Sequence, residues 1–340
     1  MGGKFFYLLV ASTLIAYYIY QPLPENVEEP WKVMLLDASF RSLIHVATIV
    51  EKLGVGHFMD VLNLHTIATY TPPISDEKVI VTDTEFSHVP VRLYIPTKQS
   101  DVLKRAVIFI HGGGWCIGSA IFLGSRSRSI IILRNPGMIL DDPDVRTKFK
   151  IQALLYPGLQ SIDLELPSYQ DNKNIPILSK TLVIRFLSEY ITSDESFSKA
   201  LETNQHVPAE FNHLFQFVNW SKWLPERFKK GHIYTDPSHR NSKTGHKYPD
   251  LLDPRSGPLL VEDIKLQGLP LTYIMTCQYD VLRDDGIMYV SRLREAGVEV
   301  THEHVDNAFH GVVTFITGAF AQNIGHRMAN NYIEWLNKNL

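Results

Sequence analysis

The chain has 340 residues, 45% hydrophobic and 20% charged, with a formal net charge of -3. That composition belongs to a globular protein and excludes the disordered and fibrous classes. The charge balance lacks the basic bias of a nucleic-acid binder, so no nucleic-acid partner is expected.

The N-terminus sets the compartment. Residues 5–20 (FFYLLVASTLIAYYIY) carry no charge; Lys4 precedes them, and Glu25, Glu28 and Glu29 follow. A helix of this length spans about 24 Å, a little short of the hydrocarbon core, and Tyr17, Tyr18 and Tyr20 extend it into the interface. No small-residue cleavage site precedes Gln21-Pro22, so the segment reads as an uncleaved signal anchor, not a signal peptide. A buried core helix is the rival reading; the terminal position and all-round apolarity argue against it. Lys4 leaves residues 1–4 as a cytosolic tip and places the bulk of the chain in the lumen, as a single-pass type II protein. An oxidising lumen permits a disulfide between Cys116 and Cys277, although both could equally be buried thiols. The same compartment makes Asn219 of Asn219-Trp220-Ser221 a glycosylation candidate.

Residues 21–77 form a short stalk followed by a mostly helical pattern over 33–64. Residues 78–86 and 89–96 have strand composition with a short polar break and predict a hairpin. Residues 105–110 predict a buried strand that runs into His111-Gly112-Gly113-Gly114-Trp115. Residues 150–156 (KIQALLY) predict another strand, stopped by Pro157-Gly158. The stretch from about 160 to 254 is rich in Trp, Phe and His without strong strands, and fits a helical cap. Residues 271–277 predict a third core strand, 284–296 a helix ending at Gly297, 298–304 an alternating strand, and 323–340 an amphipathic helix. Strands alternating with helices imply an α/β domain over 78–340 with a mostly parallel sheet.

The chemistry concentrates in two places. Glycines at 112, 113 and 114 have no side chains, so backbone N–H groups there can face a substrate oxyanion, each worth on the order of 3 kcal/mol in a transition state. Asp280 ends a core strand, from where a buried carboxylate can orient a histidine. His310 follows beyond a helix and a strand, with Gly311 after it, and the order Asp then His suits a hydrolase. Asp306, Asp284 and Asp285 are rivals for the acid; the latter two are expected to cap the following helix. His302 and His304 share a strand face that is expected to be an edge or solvent face. Lacking a third ligand, they imply no metal.

With PLPENVEEPW (22–31), HGGGWC (111–116), LLYPGLQ (154–160), CQYDVLRDDG (277–286) and FHG (309–311), the chain resembles the arylacetamide deacetylases. These belong to the hormone-sensitive-lipase-like branch of the α/β-hydrolase fold. The resemblance covers both ends and most of the middle, leaving out 121–139. It implies an α/β-hydrolase fold with a helical cap, anchored at the lumenal side of the endoplasmic reticulum membrane. The implied reaction is hydrolysis of lipophilic carboxylic esters and arylacetamides, with no cofactor. Asp280 and His310 would be the acid and base of a triad, and Gly112, Gly113 and Gly114 the oxyanion loop, bracketed by His111 and Trp115. Trp220 and Trp223 in the cap would favour lipophilic substrates, and the Cys116–Cys277 bridge gains from the same map.

One part of that pattern is missing. No Gly-x-Ser-x-Gly occurs in the chain. The family sets its nucleophile on a Gly-Asp-Ser-Ala-Gly-Gly elbow between His111 and the strand at 150, within a block that needs roughly 70 residues at average element lengths. Only 121–149 is available, so 121–139 reads as a joiner across a lost block. Gly114-Trp115-Cys116-Ile117-Gly118 matches an elbow with cysteine but lies on the oxyanion loop. Ser119 has no activating neighbour, and Ser125, Ser127 and Ser129 alternate with Arg126 and Arg128 as a solvated run. The central sheet is therefore expected to be incomplete. Ile130, Ile131, Ile132 and Leu133 would fill one slot, Asn135-Pro136-Gly137 would turn the chain, and 141–148 would keep a helix stub. The expected protein is a catalytically impaired esterase, or else a non-catalytic splice variant or a pseudoenzyme that binds lipophilic ligands.

Overall fold

A computed structural model describes residues 2–68, 72–86, 88–98, 106–114, 116–117, 149–192, 194–237 and 248–340. Its central element is a parallel sheet in the order β3-β4-β5, formed by β3 (Ile151–Leu155), β4 (Leu271–Tyr279) and β5 (Val300–Phe309). All five residues of β3 are buried, as expected of a parallel strand covered on both faces. Along β4 the side chains alternate between two cores. Ile274 joins a cluster with Leu154, Ile287 and Leu293, while Tyr273, Met275 and Cys277 join one with Val312, Met328 and Tyr332. Helix α10 (Arg283–Glu295) makes the crossover from β4 to β5, and α11 (Asn323–Asn339) covers the second face.

The register of β4 and β5 places the functional residues. Thr272 faces Val300 and Cys277 faces Val305, but after an irregularity Tyr279 pairs with Phe309. The extra residues absorbed by β5 bring the two strand ends level. Asp280 and His310, each one residue further on, therefore leave the sheet side by side.

Between β3 and β4 the described residues form helices and turns without a strand. They include α4 (Pro167–Asp171), α5 (Lys180–Ile191), α6 (Glu195–Glu202), a 3₁₀ stretch (Ala209–Val218), α7 (Trp220–Trp223), α8 (Glu226–Lys229) and α9 (Asp263–Leu266). Tyr169, Phe197, Phe215, Trp220, Trp223 and Phe228 bury their rings in one cluster with residues of α10. Each aromatic ring buries a large apolar area, so a strand-poor segment still acquires a dense core.

β1 (Val79–Phe86) and β2 (Val89–Pro96) pair antiparallel from Val79↔Pro96 to Phe86↔Val89 and form a separate two-stranded sheet. The expected buried strand before the glycine loop is not formed. Residues 106–110 belong to no strand, and Val107 and Ile108 are 52% and 53% exposed. A strand in the middle of a parallel sheet needs hydrogen-bond partners on both sides. Among the described residues the sheet stops at β3, so nothing there receives this run. The proposed replacement strand at Ile130–Leu133, its turn and the stub at 141–148 lie outside the described residues, as do Ser119, Ser125, Ser127 and Ser129.

At the N-terminus, α1 (Gly2–Ile19) is followed by α2 (Pro30–Lys52) and α3 (Phe58–Ala68). Phe5, Leu9 and Leu14 of α1 are 70%, 56% and 62% exposed. Helix α2 is long and apolar enough to cross a membrane. However, it buries Val33, Leu36, Asp37, Ala38 and Ala47 against the domain, and Asp37 accepts from the Ile177 backbone N–H at 3.0 Å. Arg41 of α2 donates to the Tyr18 carbonyl at 3.0 Å and fixes the end of α1.

Candidate active site

Asp280 is fully buried, and its Oδ2 accepts from His310 Nδ1 at 2.9 Å. Its other oxygen accepts from the Leu282 backbone N–H at 2.8 Å, and Asn172 donates to its backbone carbonyl at 3.0 Å. An ionised carboxylate only accepts, so Nδ1 carries the proton and Nε2 presents its lone pair. Among the described residues nothing bonds Nε2. The imidazole packs edge-on to Tyr156, with ring centroids 4.9 Å apart. Tyr156 itself has a positive φ of 38°, a conformation costly for a bulky residue, and is held in it by a 2.8 Å bond from its N–H to the Met275 carbonyl. Gly311, at φ 78°, then turns the chain away from the site.

The glycine loop lies in the same cavity. A space of about 530 Å³ is lined by Gly112, Gly113, Gly114, Tyr156, Phe186 and His310, among others. That volume suits a small ligand. Gly113 has φ 137° and Gly114 φ 56°. A Cβ on Gly113 would lie 1.9 Å from the Ile117 carbonyl oxygen, and one on Gly114 would strike the Phe186 ring at 2.5 Å. Both glycines are therefore required by the turn, whose closure is the Ile117 N–H donating to Gly113 O at 2.9 Å. His111 bonds from Nδ1 to Gly112 O at 2.7 Å. Trp115 lies outside the described residues. A hydrogen-bonded Asp–His pair thus shares one pocket with a row of glycines, an arrangement of the kind that acyl transfer can use.

The family profile described as "alpha/beta hydrolase fold" matches residues 228–314. Arylacetamide deacetylase from Bos taurus is 44% identical over 403 residues, covering 100% of each chain. The chain belongs to the arylacetamide deacetylase family of α/β hydrolases. Arylacetamide deacetylase-like 2 from Homo sapiens is 36% identical over 403 residues, again covering 100% of each. Neutral cholesterol ester hydrolase 1 from Bos taurus is 34% identical over 401 residues, covering 98% of each. Among solved structures, an esterase from Rhizomucor miehei superposes with a TM-score of 0.52 at 16% identity, covering 83% of this chain and 90% of that one. DphMB1 gives 0.51 at 17% identity, covering 87% and 98%. These two show the fold alone. The 403 aligned positions of the bovine relative take in all 340 residues here, a difference of 63 at which this chain has nothing.

Set beside the family pattern, the remaining side chains depart from several expectations. Cys116 and Cys277 are both unpaired. Cys277 points into the core on the α11 side of the sheet, whereas Cys116 sits by α5 and donates from Sγ to the Phe186 carbonyl at 3.4 Å. Burial, helped by the Glu189 charge, pushes the Cys116 thiol up to about 11. That favours the neutral thiol, and its Sγ is bonded to the Phe186 carbonyl and not to His310, although Cys116 also lines the cavity. Two hydroxyls that motif reading passed over, Ser256 and Thr314, line the cavity. Thr314 Oγ1 donates to Gly311 O at 2.6 Å. Ser256 stands in a turn closed by its N–H on Asp253 O at 2.9 Å. Neither is bonded to His310, and only their place in space marks them.

Asp284 and Asp285 do not cap α10. They lie inside its first turn, fully buried, and reach across to the loops after β3. Asp284 accepts from Arg283 Nε at 2.8 Å and from the Ser168 N–H at 2.7 Å. Asp285 accepts from the Leu159 N–H at 2.9 Å and Gln160 Nε2 at 3.1 Å. Asp306 stays at the surface, 3.3 Å from His304. His302 and His304 stand on β5, an edge strand of the described sheet as expected, but their rings lie against β4 and do not open to solvent. Their rings share Thr276 Oγ1, at 2.9 Å from His302 Nε2 and 2.8 Å from His304 Nδ1. A hydroxyl donates once, so it donates to one ring and accepts from the other. Elsewhere Glu51, His57 and Glu189 lie within ligand distance of one another. Arg185 already bridges Glu51 at 2.6 Å and Glu189 at 2.5 Å, which compensates the charge a cation would.

These buried groups set the pH profile of stability. Burial pushes the Asp285 carboxyl from 3.8 up to about 8, and pulls both His302 and His304 from 6.5 down to about 4. The folded state holds a proton on Asp285 that the unfolded chain has lost, so this group removes stability as pH rises between about 4 and 8. The histidines stay neutral in the fold, so they remove stability as pH falls from 6.5 to about 4. Two histidines outweigh Asp285 below 6.5; above it Asp285 dominates, in the same direction as Asp284, whose carboxyl burial also pushes up. Stability measured by urea unfolding should therefore peak near pH 6.5 and decline toward 8, and Asp285→Asn should flatten that decline. A wild-type profile that stays level or rises from 6.5 to 8 would contradict the assignment.

Proposed function

We propose that this chain is a membrane-anchored, lumenal member of its family that binds lipophilic carboxylic esters and aryl amides but forms no acyl-enzyme. One observation carries the reading. His310, oriented by Asp280, shares a cavity with the glycine loop, yet no serine, threonine or cysteine is bonded to it among the described residues. The shortfall of 63 aligned positions and the absence of any Gly-x-Ser-x-Gly support a lost elbow. Losing the nucleophile costs several orders of magnitude in rate. Membrane anchoring rests on α1, apolar and exposed along its length, whereas α2 is committed to the domain. The endoplasmic reticulum follows from the family. In that compartment Asn219 is the glycan acceptor, half-buried at the start of α7, where its Oδ1 accepts from the Lys222 N–H at 3.2 Å.

The test is a fluorophosphonate probe on membranes from cells expressing the full chain. The protein should stay in the pellet after an alkaline carbonate wash and take up no label. Stoichiometric labelling that disappears in His310→Ala would overturn the reading, and Ser256→Ala would then show whether Ser256 is the labelled residue.

A further inference from the structure

We infer that the Asp280–His310 pair keeps a slow activity of its own, activating water directly against aryl esters held in the cavity. The inference rests on the reading that no acyl-enzyme forms. Three features carry it. Asp280, acceptor-only and fully buried, fixes the proton of His310 on Nδ1 at 2.9 Å and so leaves Nε2 as the basic nitrogen. The imidazole is 22% exposed and lines the 530 Å³ space, with Nε2 unbonded among the described residues. In a family member with an intact elbow that nitrogen serves a serine; here no described residue is bonded at that position, which water can reach from the cavity. Gly112 and Gly113 line the same space, with no side chains over their amides.

The step balances without any further reactant. Nε2 takes one proton from water as the water oxygen bonds to the ester carbonyl carbon. The carbonyl π pair moves onto oxygen, where glycine-loop N–H groups steady the charge. The tetrahedral species then expels the aryloxide, which collects the proton from the His310 imidazolium. The products are a carboxylic acid and a phenol, and the imidazole is neutral again; nothing is oxidised or reduced. Water attacks less readily than a positioned serine, so the leaving group decides which substrates turn over. A phenolate departs with little help, whereas an amide nitrogen must be protonated as its bond breaks. The chain should therefore hydrolyse activated aryl esters while leaving arylacetamides intact, a narrower range than the family name describes.

The experiment uses full-length protein in detergent micelles, with 4-nitrophenyl butyrate and 4-nitroacetanilide as probes. General-base help of this kind is worth about 10²-fold or more. Wild type should release nitrophenol linearly, without a burst, at about 10² times the rate of His310→Gln, and release no nitroaniline. Asp280→Asn, which loses the tautomer control, should fall nearly as far while remaining folded by circular dichroism. Equal ester rates in wild type and both variants would sink the water mechanism and leave the proposed function standing. A burst of nitrophenol together with fluorophosphonate labelling would instead overturn the reading beneath it.

Discussion

If the proposed function is right, replacing residues 121–139 with a serine-bearing elbow block of the family kind should raise ester hydrolysis by about 10³-fold or more. The recipient already has Asp280 at 2.9 Å from His310 and the glycine loop in the same cavity. The graft would add the serine, the further N–H donor that follows a nucleophile in this fold, and strands to lie between β3 and the run at 106–110. Stability should rise with activity, because those strands would bring partners to backbone now outside any sheet. The measurement is turnover of a 4-nitrophenyl ester together with fluorophosphonate labelling. A graft that folds and labels but hydrolyses no faster would show that Asp280, His310 and the glycine loop are misplaced for catalysis.

Asp284→Ala should cost about 3–5 kcal/mol of folding stability, the range for removing one partner of a buried ion pair. The Asp284 side chain is 0% exposed and that of Arg283 1%. The loss would strip the Arg283 guanidinium of its closest anion, leave the Ser168 N–H without its acceptor, and weaken a contact to the chain beside the acid. Ser168 Oγ donates to the Val281 carbonyl at 2.7 Å, one residue from Asp280. Urea unfolding would read the cost, and a change below about 1 kcal/mol would mean that the loop after β3 is held by something else. Asp285→Ala is the natural comparison, since it removes two donors' acceptor without stranding a guanidinium.

The C-terminal half of this fold is legible in the sequence because its elements are local and strongly patterned. β3, β4, α10 and α11 fall within a residue or two of where composition puts them. The Asp280–His310 pair is legible from its order and its glycine, although the register irregularity that sets the two side by side is not. What failed to show has a common cause: each case turns on a partner distant in sequence. An apolar run such as 106–110 reads as a core strand whatever lies beside it, since composition carries no information about neighbouring strands. Asp284 and Asp285 look like helix caps until Ser168 and Leu159 are found against them. His302 and His304 look solvated until Thr276 on the adjacent strand takes both rings. Cys116 and Cys277 pair well on a family map, but they face different parts of the core.

The open run Val107-Ile108-Phe109-Ile110 has a consequence for the cell rather than for catalysis. Four consecutive apolar residues, between 37% and 53% exposed and without charge, are the kind of extended peptide that folding chaperones grip and that sheets from other chains extend. Such a segment is normally hidden as soon as a protein finishes folding. Here it stays displayed in the finished fold, so the molecule carries the mark of an unfinished one. How much of it accumulates would then depend less on its own unfolding than on how long the cell's quality-control machinery tolerates it.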